Sequence, residues 1–222
     1  MGRTDLIIFD VDGTLVDTAT DVHICLNMAL EKMNLPTITV DTAKKAIGPG
    51  PKDFIKYILG GQIEHAAEFH KIFRPLYLQH CADNASPFDG IVELLQELRD
   101  RNIKMAVATN KARGSNEAVL KALQLDSYFD IILSRDDVEN SKPAPDMLLK
   151  ACEQLNISPA NALMLGDTFN DIYAANSAGM KSCLALWGFS DDYQELLAIS
   201  TYAIEHPRQI LDIIESEILE NA

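Results

Sequence analysis

Short, mainly apolar runs are the feature of this 222-residue sequence that most restricts its fold. Five of them are predicted to be strands: residues 6–11, 103–109, 128–133, 162–165 and 182–186. Their apolar residues are consecutive instead of alternating with polar ones, which is typical of strands buried on both faces of a parallel sheet. Amphipathic helical patterns lie between the runs. The sequence therefore predicts an α/β fold whose core is a doubly wound parallel sheet.

One interval, between the first predicted strand and a helix that begins near Ile91, interrupts this alternation. It contains about 75 residues, with amphipathic helical patterns but no buried strand, whereas a simple crossover takes a dozen or more. We predict that residues 18–85 form an inserted, smaller all-helical domain. Residues 1–17 and 86–222 would then form the α/β core domain. The alternative is a set of extra helices packed on one core.

The charge balance argues against two classes of partner. The sequence has 33 acidic and 19 basic residues, a net charge of −14, and no segment dense in Lys and Arg. Nucleic acids and membrane surfaces are therefore not expected to bind. The apolar runs are far shorter than the roughly 18 residues that cross a bilayer. Since the N-terminal residues also lack the pattern of a signal peptide, the expected location is the cytoplasm.

The four cysteines show no pattern of a metal or redox site. Cys25, Cys81, Cys152 and Cys183 lie tens of residues apart in apolar surroundings and form no CxxC pair. Reduced thiols are common in protein cores, where they act as small apolar side chains. We therefore predict reduced core thiols at all four positions.

Two acidic residues, Asp10 and Asp12, stand where the first predicted strand ends. In a doubly wound sheet the ligand crevice lies beyond the carboxyl ends of the strands, so both side chains are expected at its rim. Carboxylates this close repel each other unless a cation lies between them. Magnesium prefers hard oxygen ligands and keeps water and phosphate oxygens in its shell. The pair therefore predicts a Mg²⁺ site.

A second acidic pair follows the predicted strand 162–165, in the sequence GDTFND. Asp167 and Asp171 are four residues apart and are expected on one face of a helix, if the helix begins here. A single pair of this kind is more typical of a solvated turn or a helix N-cap. Two pairs at the ends of two strands favour a shared site instead. Helix N-termini beside it would suit an anionic ligand.

Polar and cationic residues follow two more of the predicted strands. Thr109 and Asn110 offer a hydroxyl and an amide, and Lys111 adds a cation, although such residues are also common in turns. Lys142 precedes a helix in the sequence SKPAPD, whose prolines stiffen the approach. An isolated lysine is usually a solvated surface charge. Its interpretation as a phosphate ligand depends on its place in this order of elements.

Four elements in this order resemble the haloacid dehalogenase-like superfamily of phosphohydrolases. They are DVDGTLVD at 10–17, Thr109 at a strand end, Lys142 in SKPAPD, and GDTFND at 166–171. The resemblance covers nearly the whole chain and implies a Rossmann-like core. The insertion follows the first element, and the roughly 32 residues between Asn110 and Lys142 leave no room for another. The sequence is thus similar to the branch with a helical cap, and within it to phosphoglycolate phosphatases.

The resemblance implies a reaction in two steps. Asp10 would attack phosphorus and form an aspartyl-phosphate, which divides one difficult hydrolysis into two easier reactions. Asp12 would protonate the leaving alkoxide and then take a proton from the attacking water. Thr109, the Asn110 backbone and Lys142 would hold the phosphoryl oxygens, where charge must be stabilised during transfer.

The resemblance also implies the residues of the magnesium site. They are Asp10, Asp12 through its backbone carbonyl, Asp167 and Asp171. Asp171 is expected to orient waters or Lys142 instead of binding the ion directly. We predict that activity requires a divalent ion.

The helical insertion is expected to determine which phosphomonoester binds, since the core elements recognise only phosphate. Residues 48–51 are predicted to form a rigid turn that faces the crevice, with Gly48 and Gly50 contacting the substrate. The alternative is a plain helix connector. Lys52 and Lys56 are candidates for binding a substrate carboxylate.

A phosphosugar mutase of the same branch is the nearest competing prediction. Beta-phosphoglucomutases carry a histidine five residues after the aspartate that matches Asp17. Here Val22 occupies that position and His23 follows it, about 100° further around the helix. The mutase is thereby disfavoured, and His23 is interpreted as a surface or packing residue. The acid at Asp12 argues against dehalogenases and phosphonate hydrolases, whose leaving groups need no proton.

Two alternatives come from other classes. A receiver domain has a similar acidic pocket, but it has about 120 residues and no helical insertion. A binding protein descended from the enzymes would keep the fold without the chemistry, yet all four elements are intact. We therefore predict a magnesium-dependent phosphatase that acts on a small phosphorylated metabolite. Phosphoglycolate is the leading candidate, with pyrophosphate, sugar phosphates and nucleoside monophosphates as alternatives.

Overall fold

The computed structural model describes residues 3–47, 51–190 and 193–220, which form a parallel sheet, its flanking helices and a group of helices above one edge. The strands are β1 (Leu6–Phe9), β2 (Val16–Asp17), β3 (Ser86–Pro87), β4 (Lys104–Thr109), β5 (Ile131–Ser134), β6 (Ala162–Gly166), β7 (Lys181–Ala185) and β8 (Tyr202–Ile204). The helices are α1 (Ala19–Lys32), α2 (Val40–Ala46), α3 (Pro51–Leu59), α4 (Ala66–His80), α5 (Ile91–Asp100), α6 (Arg113–Ala122), α7 (Asp146–Leu155), α8 (Phe169–Ser177), α9 (Tyr193–Ile199) and α10 (Gln209–Glu220).

The main sheet has six strands in the order β5-β4-β1-β6-β7-β8, and all neighbours are parallel. This is the doubly wound order in which the chain first builds outward on one side of β1 and then on the other. The direction reverses between β1 and β6, so the ligand crevice lies above their carboxyl ends. The predicted α/β fold is confirmed.

The five predicted strands are found as β1, β4, β5, β6 and β7, with ends shifted by a few residues. The pattern did not predict β8, which has three residues and lies at the edge of the sheet, nor the short pair β2 and β3. Elements of two or three residues are too short to show a periodicity.

Side chains of β1 enter both layers of the core. Ile7 and Phe9 join the apolar cluster on one face of the sheet, with helices α5, α6 and α10. Leu6 and Ile8 join the other, with α7 and α8. Because successive side chains of a strand point to opposite faces, a strand covered on both sides needs apolar residues throughout.

Two helices end at asparagines in the left-handed conformation. Asn102 follows α5 with φ of 57°, and Asn156 ends α7 with φ of 55°. Asparagine tolerates this left-handed conformation better than most residues, and it lets the chain leave the helix while the last carbonyls keep hydrogen bonds.

Helices α1–α4, which we call the cap, account for the predicted helical insertion. Phe69, Phe73 and Tyr77 of α4 stack one above the next, with ring centroids 5.5 and 5.4 Å apart. The apolar side chains of the cap belong to the same cluster as Ile7 and Phe9. The predicted domain division remains a prediction, since the cap and this face of the sheet share one apolar cluster.

The two connections between cap and sheet are joined to each other. β2 and β3 pair as an antiparallel ribbon, with Val16 opposite Pro87 and Asp17 opposite Ser86. Beside the ribbon, the buried Asp21 carboxylate accepts hydrogen bonds from the backbone N–H groups of Asn84 and Ala85. The chain therefore enters and leaves the cap at neighbouring, hydrogen-bonded positions.

Two simpler expectations concern the membrane and the cysteines. Over the described ranges, no helix is both long and apolar enough to cross a bilayer. All four cysteines are buried and free, as predicted for core thiols.

Candidate active site

The position where the sheet reverses direction brings together the two acidic segments predicted from the sequence. Asp10 directly follows β1, and its backbone N–H donates to the carbonyl of Leu165 in β6 at 3.0 Å. Asp167 directly follows β6. Since β1 and β6 are neighbours, residues 157 positions apart in the chain emerge side by side. Both side chains are buried.

Asp171 completes an acidic cluster. Each of Asp10, Asp167 and Asp171 contributes a carboxylate oxygen, and these three oxygens lie within 4.8 Å of one another. Asp167 and Asp171 do not share a helix face, as the sequence had suggested for a helix that includes both, because α8 begins at Phe169, after Asp167. Asp171 instead lies in the first turn of α8, where Thr168 donates to its Oδ2 from the backbone N–H (3.0 Å) and the hydroxyl (2.7 Å).

Lys142 is the cation of this cluster. Its Nζ donates to Asp10 Oδ1 at 2.9 Å and to Asp171 Oδ1 at 2.5 Å, and the side chain is buried. Burial lowers the pKa of Lys142, but the two carboxylates more than offset this and hold the pKa above its usual value. Lys142 is therefore an ammonium ion fixed between two acids.

One lysine does not balance three buried carboxylates. Burial raises the pKa of Asp10 to about 6; Lys142 opposes this shift, and Asp171 and Asp12 add to it. Burial and two neighbouring acids, Asp171 and Asp10, hold the pKa of Asp167 well above its usual value. The negative charge concentrated here calls for a further cation.

The donor set fits magnesium. Three carboxylates within a few ångströms supply the hard oxygen ligands that this ion prefers, and no described Cys or His belongs to the cluster. The carboxylate of Asp12 is not part of the cluster, so Asp12 would contribute its backbone carbonyl, as the family resemblance implies. Asp171, whose oxygens are engaged by Lys142 and Thr168, suits the expected orienting role.

Asp167 is held rigidly from two sides. Its Oδ1 accepts from the Thr14 hydroxyl at 3.1 Å, and its Oδ2 accepts from the Phe189 backbone N–H at 2.8 Å. Gly13, with φ of 83°, packs so closely that a Cβ there would lie 2.3 Å from Asp167 Oδ2. Glycine is therefore required at position 13 both for the backbone conformation and for the close approach. The contribution of Phe189 was not predicted from the sequence.

Asp12 points away from the acidic cluster and is held by two side chains. Its Oδ1 accepts from the Thr18 hydroxyl at 2.6 Å and from Lys111 Nζ at 2.7 Å. Lys111 also donates to the hydroxyl of Tyr77, in cap helix α4. Although burial lowers the pKa of Lys111, Asp12 and Tyr77 raise it above its usual value. Lys111 is thus a buried ammonium that links the cap to Asp12.

Thr109 and Asn110 lie where β4 ends, beside the other site residues. Thr109 is buried, and its Oγ1 accepts from the Lys111 backbone N–H at 3.3 Å. The amide of Asn110 donates to the Lys142 carbonyl at 2.8 Å, which fixes the loop that carries Lys142. Both residues also line a cavity between the cap and the sheet. The side chain of Asn110 thus has a positioning role that the sequence did not predict.

A cavity of about 300 Å³ opens between the cap and the carboxyl ends of the strands. Its floor includes Asp10, Asp12 and Thr109, while Lys142, Asp167 and Asp171 lie beneath the floor. The cap side is mainly apolar and aromatic: Val22, Ala46, Ile47, Phe54, Phe73, Tyr77 and Leu78. The volume suits a small molecule bound at Asp10 and covered by the cap.

The cap residues predicted from the sequence have different outcomes. Gly48 and Gly50 lie outside the described residues, as does the side chain of Lys52. Lys56 is exposed and does not line the cavity. His23 bonds to the Ile38 carbonyl and to Asn27, in agreement with a packing role.

Replacing Lys142 by methionine is expected to destabilise the protein by about 3–5 kcal/mol, because it leaves two buried carboxylates without their partner. Urea unfolding in the presence of a chelator measures this. Lys104→Met is the control, since it removes an exposed ion pair with Asp130 and should change the free energy of unfolding by less than about 1 kcal/mol. Equal effects of the two variants would contradict the assigned pairing.

Comparisons with known proteins agree with this geometry. The sequence profile described as haloacid dehalogenase-like hydrolase matches residues 7–185. A phosphoglycolate phosphatase of Aquifex aeolicus is 32% identical over 97% of this chain and 99% of its own length. An N-acetylmuramic acid 6-phosphate phosphatase of Pseudomonas aeruginosa is 28% identical over 98% of both.

A solved structure extends the likeness to three dimensions. The crystal structure of a predicted phosphoglycolate phosphatase from Haemophilus somnus superimposes with a TM-score of 0.88 at 25% identity, covering 96% of this chain and 99% of that one. The expected family, the fold with a helical cap and the phosphoglycolate phosphatase-like type of enzyme are confirmed. The chain therefore belongs to the haloacid dehalogenase-like hydrolase family, as a phosphatase of the phosphoglycolate phosphatase-like type.

Proposed function

We propose that this protein hydrolyses a small phosphomonoester in a magnesium-dependent reaction through an aspartyl-phosphate on Asp10. The observation that carries the proposal is the position of Asp10. It lines the cavity, its Oδ1 is held by Lys142, and it belongs to the cluster of buried acids. Its Oδ2 accepts no hydrogen bond from a described residue, so one oxygen is held and the other is available to attack phosphorus.

Asp12 is suited to serve as acid and base. It lines the same cavity two residues from Asp10, but on the side of the cap and the leaving group. Lys111 and Thr18 fix its carboxylate away from the acidic cluster. For the first step Asp12 would have to be released from Lys111 as the carboxylic acid, which gives its proton to the leaving alkoxide. The carboxylate so formed would then take a proton from the hydrolytic water, which restores the acid.

The remaining core residues hold the phosphoryl group. Thr109 and the Asn110 backbone lie beside Asp10 at the cavity floor, where a hydroxyl and an amide N–H can donate to phosphoryl oxygens. Lys142 keeps Asp10 oriented for attack. Magnesium, bound by Asp10 and Asp167, would supply positive charge to the phosphoryl oxygens during transfer.

Phosphoglycolate is the substrate we propose first, and N-acetylmuramic acid 6-phosphate is the second candidate. These are the compounds in the names of the two relatives, which align with nearly the whole chain. Both compounds carry a carboxylate in addition to a phosphorylated hydroxyl group, and the cavity of about 300 Å³ suits the smaller of them.

The proposed location is the cytoplasm. The buried free cysteines fit this location, because thiols stay reduced there.

A phosphosugar mutase has less support. The wall position where the mutases carry histidine is Val22, an apolar residue that lines the cavity. The neighbouring His23 is engaged by Ile38 and Asn27 and does not line it. Conversion of glucose 1-phosphate to glucose 6-phosphate without release of phosphate would favour the mutase.

Release of inorganic phosphate from a panel of metabolites tests the proposal. With magnesium present, we expect kcat/KM for 2-phosphoglycolate to exceed that for nucleoside monophosphates by about tenfold or more, because the small cavity selects small esters. Pyrophosphate, which is no larger than phosphoglycolate, is measured beside them. N-acetylmuramic acid 6-phosphate belongs in the same panel. A chain that releases phosphate from none of these compounds would overturn the proposed function.

A further inference from the structure

Two arginines of the cavity wall have no acidic partner within the described part of the chain. Arg74 lies on cap helix α4, and Arg135 follows β5 at the carboxyl end of the sheet. Among the described residues, no carboxylate lies within ion-pairing distance of either guanidinium. The two lysines of the site differ in this respect, because Lys111 is paired with Asp12 and Lys142 with Asp10. The cavity thus holds two positive charges that no described carboxylate neutralises by direct pairing.

The turn that carries Arg135 is fixed to the active site. Ser134 and Asp137 form reciprocal hydrogen bonds around this turn. The backbone N–H of Arg135 donates to the carbonyl of Lys111 at 3.4 Å. Arg135 is therefore anchored beside the residue that holds Asp12, on the side of the cavity where the leaving group would lie.

The acids next to Arg135 are occupied by another arginine. Asp136 accepts from the backbone N–H of Arg113 at 2.7 Å, and Asp137 pairs with the Arg113 guanidinium at 2.5 Å. Arg113 does not line the cavity. Arg113 thus binds both neighbouring carboxylates outside the cavity, so the Arg135 guanidinium is available to a ligand within it.

Arg74 meets the same region from the cap. His70, Arg74 and Tyr77 are spaced by four and three residues, so they lie along one face of α4, and all three line the cavity. His70 stacks on Phe54 with ring planes 11° apart. Burial lowers the pKa of His70, and the positive charges of Arg74 and Arg135 lower it further, so both arginines are close to this ring. The imidazole is therefore uncharged at neutral pH.

We propose that Arg74 and Arg135 form a subsite that binds a carboxylate of the substrate's leaving group, across the cavity from Asp10. The inference rests on the proposed phosphatase function and deepens it. Guanidinium groups bind carboxylates through paired hydrogen bonds, and the apolar walls around them strengthen this attraction. Because one arginine belongs to the cap and the other to the core, binding of the carboxylate would also favour closure of the cap.

The experiment compares three esters that share one short carbon skeleton: 2-phosphoglycolate, 2-hydroxyethyl phosphate and the bisphosphate of ethylene glycol. We call 2-hydroxyethyl phosphate the neutral ester, because it carries an uncharged hydroxyl in place of the carboxylate. The measured quantity is the ratio of kcat/KM for phosphoglycolate to that for the neutral ester. We expect Arg135→Gln and Arg74→Gln each to lower this ratio by about tenfold or more, as expected for the loss of one charged hydrogen bond, with little change for the neutral ester. Arg101→Gln is the control, because this arginine pairs with Glu215 and does not line the cavity.

Several outcomes would overturn the subsite. These are an unchanged ratio in both variants, an equal loss for both esters, or a wild-type protein that does not distinguish them. A stronger preference for the bisphosphate that depends on the same arginines would replace the carboxylate by a second phosphate.

Binding of the same esters to Asp10→Asn, measured by calorimetry, decides the inference independently of turnover. We expect the ratio of the two dissociation constants to depend on Arg74 and Arg135 in the same way. If the wild-type protein releases no phosphate but this ratio still depends on the arginines, the proposed function fails and the subsite stands.

Discussion

Asp10→Asn is expected to lower kcat for p-nitrophenyl phosphate by a factor on the order of 10⁴ or more. The substitution keeps the shape of the side chain but removes the carboxylate that would attack phosphorus. The contact with Lys142 can persist through the amide oxygen, so the fold should be retained. Release of p-nitrophenol with magnesium present measures the effect.

Asp5→Asn is the matched control for this variant. Asp5 precedes the same strand at its opposite end and bonds to Asn161, away from the cavity. We expect its activity to remain within about twofold of the wild type, as for surface substitutions in general. Equally fast release by Asp10→Asn and the wild-type protein would exclude Asp10 as the nucleophile.

Removal of divalent ions is expected to abolish turnover, and added magnesium should restore it. The reason is the cluster of Asp10, Asp167 and Asp171, whose negative charge a single lysine does not balance. Magnesium should also raise the free energy of unfolding, by about 2.7 kcal/mol at a concentration one hundred times the dissociation constant. Phosphate release after treatment with a chelator, and urea unfolding with and without magnesium, measure the two effects.

Two variants test whether the cluster is the metal site. Asp167→Asn should lose most of the stabilisation by magnesium. Asp12→Asn should keep it, because the Asp12 carboxylate points to Lys111 and not into the cluster. Full activity in excess chelator, or magnesium stabilisation that survives in Asp167→Asn, would contradict the assignment.

The sequence predicts the sheet well because burial on both faces determines which residues its strands contain. β1 and β6 consist of apolar residues and glycine, and no polar position obscures them. Strands of this kind in a doubly wound order place Asp10 and Asp167 at one edge, so the acidic cluster follows from topology. The same reasoning fails for β8, whose three residues are too few to form a pattern.

The contacts of the cap could not be predicted in the same way. Tyr77 reaches Lys111 only because α4 docks against the end of β4. The two residues are 34 positions apart in the chain, and the segment between them contains no signal of that docking. Lys111 was identified as a nearby cation, but its pairing with Asp12 depends on the folded arrangement. The roles assigned to these residues in turnover stay predictions until the variants are measured.

The ribbon of β2 and β3 affects how this architecture can change over evolutionary time. The chain leaves the main sheet through β2 and returns through β3, and the two strands pair as in a hairpin. This pairing does not depend on how many residues lie between them. The entropic cost of closing a loop of this kind rises only slowly with the length of the loop. Helices beyond the ribbon can therefore be lengthened, shortened or exchanged while the catalytic carboxylates keep their places, so that new specificities arise on an unaltered reaction centre.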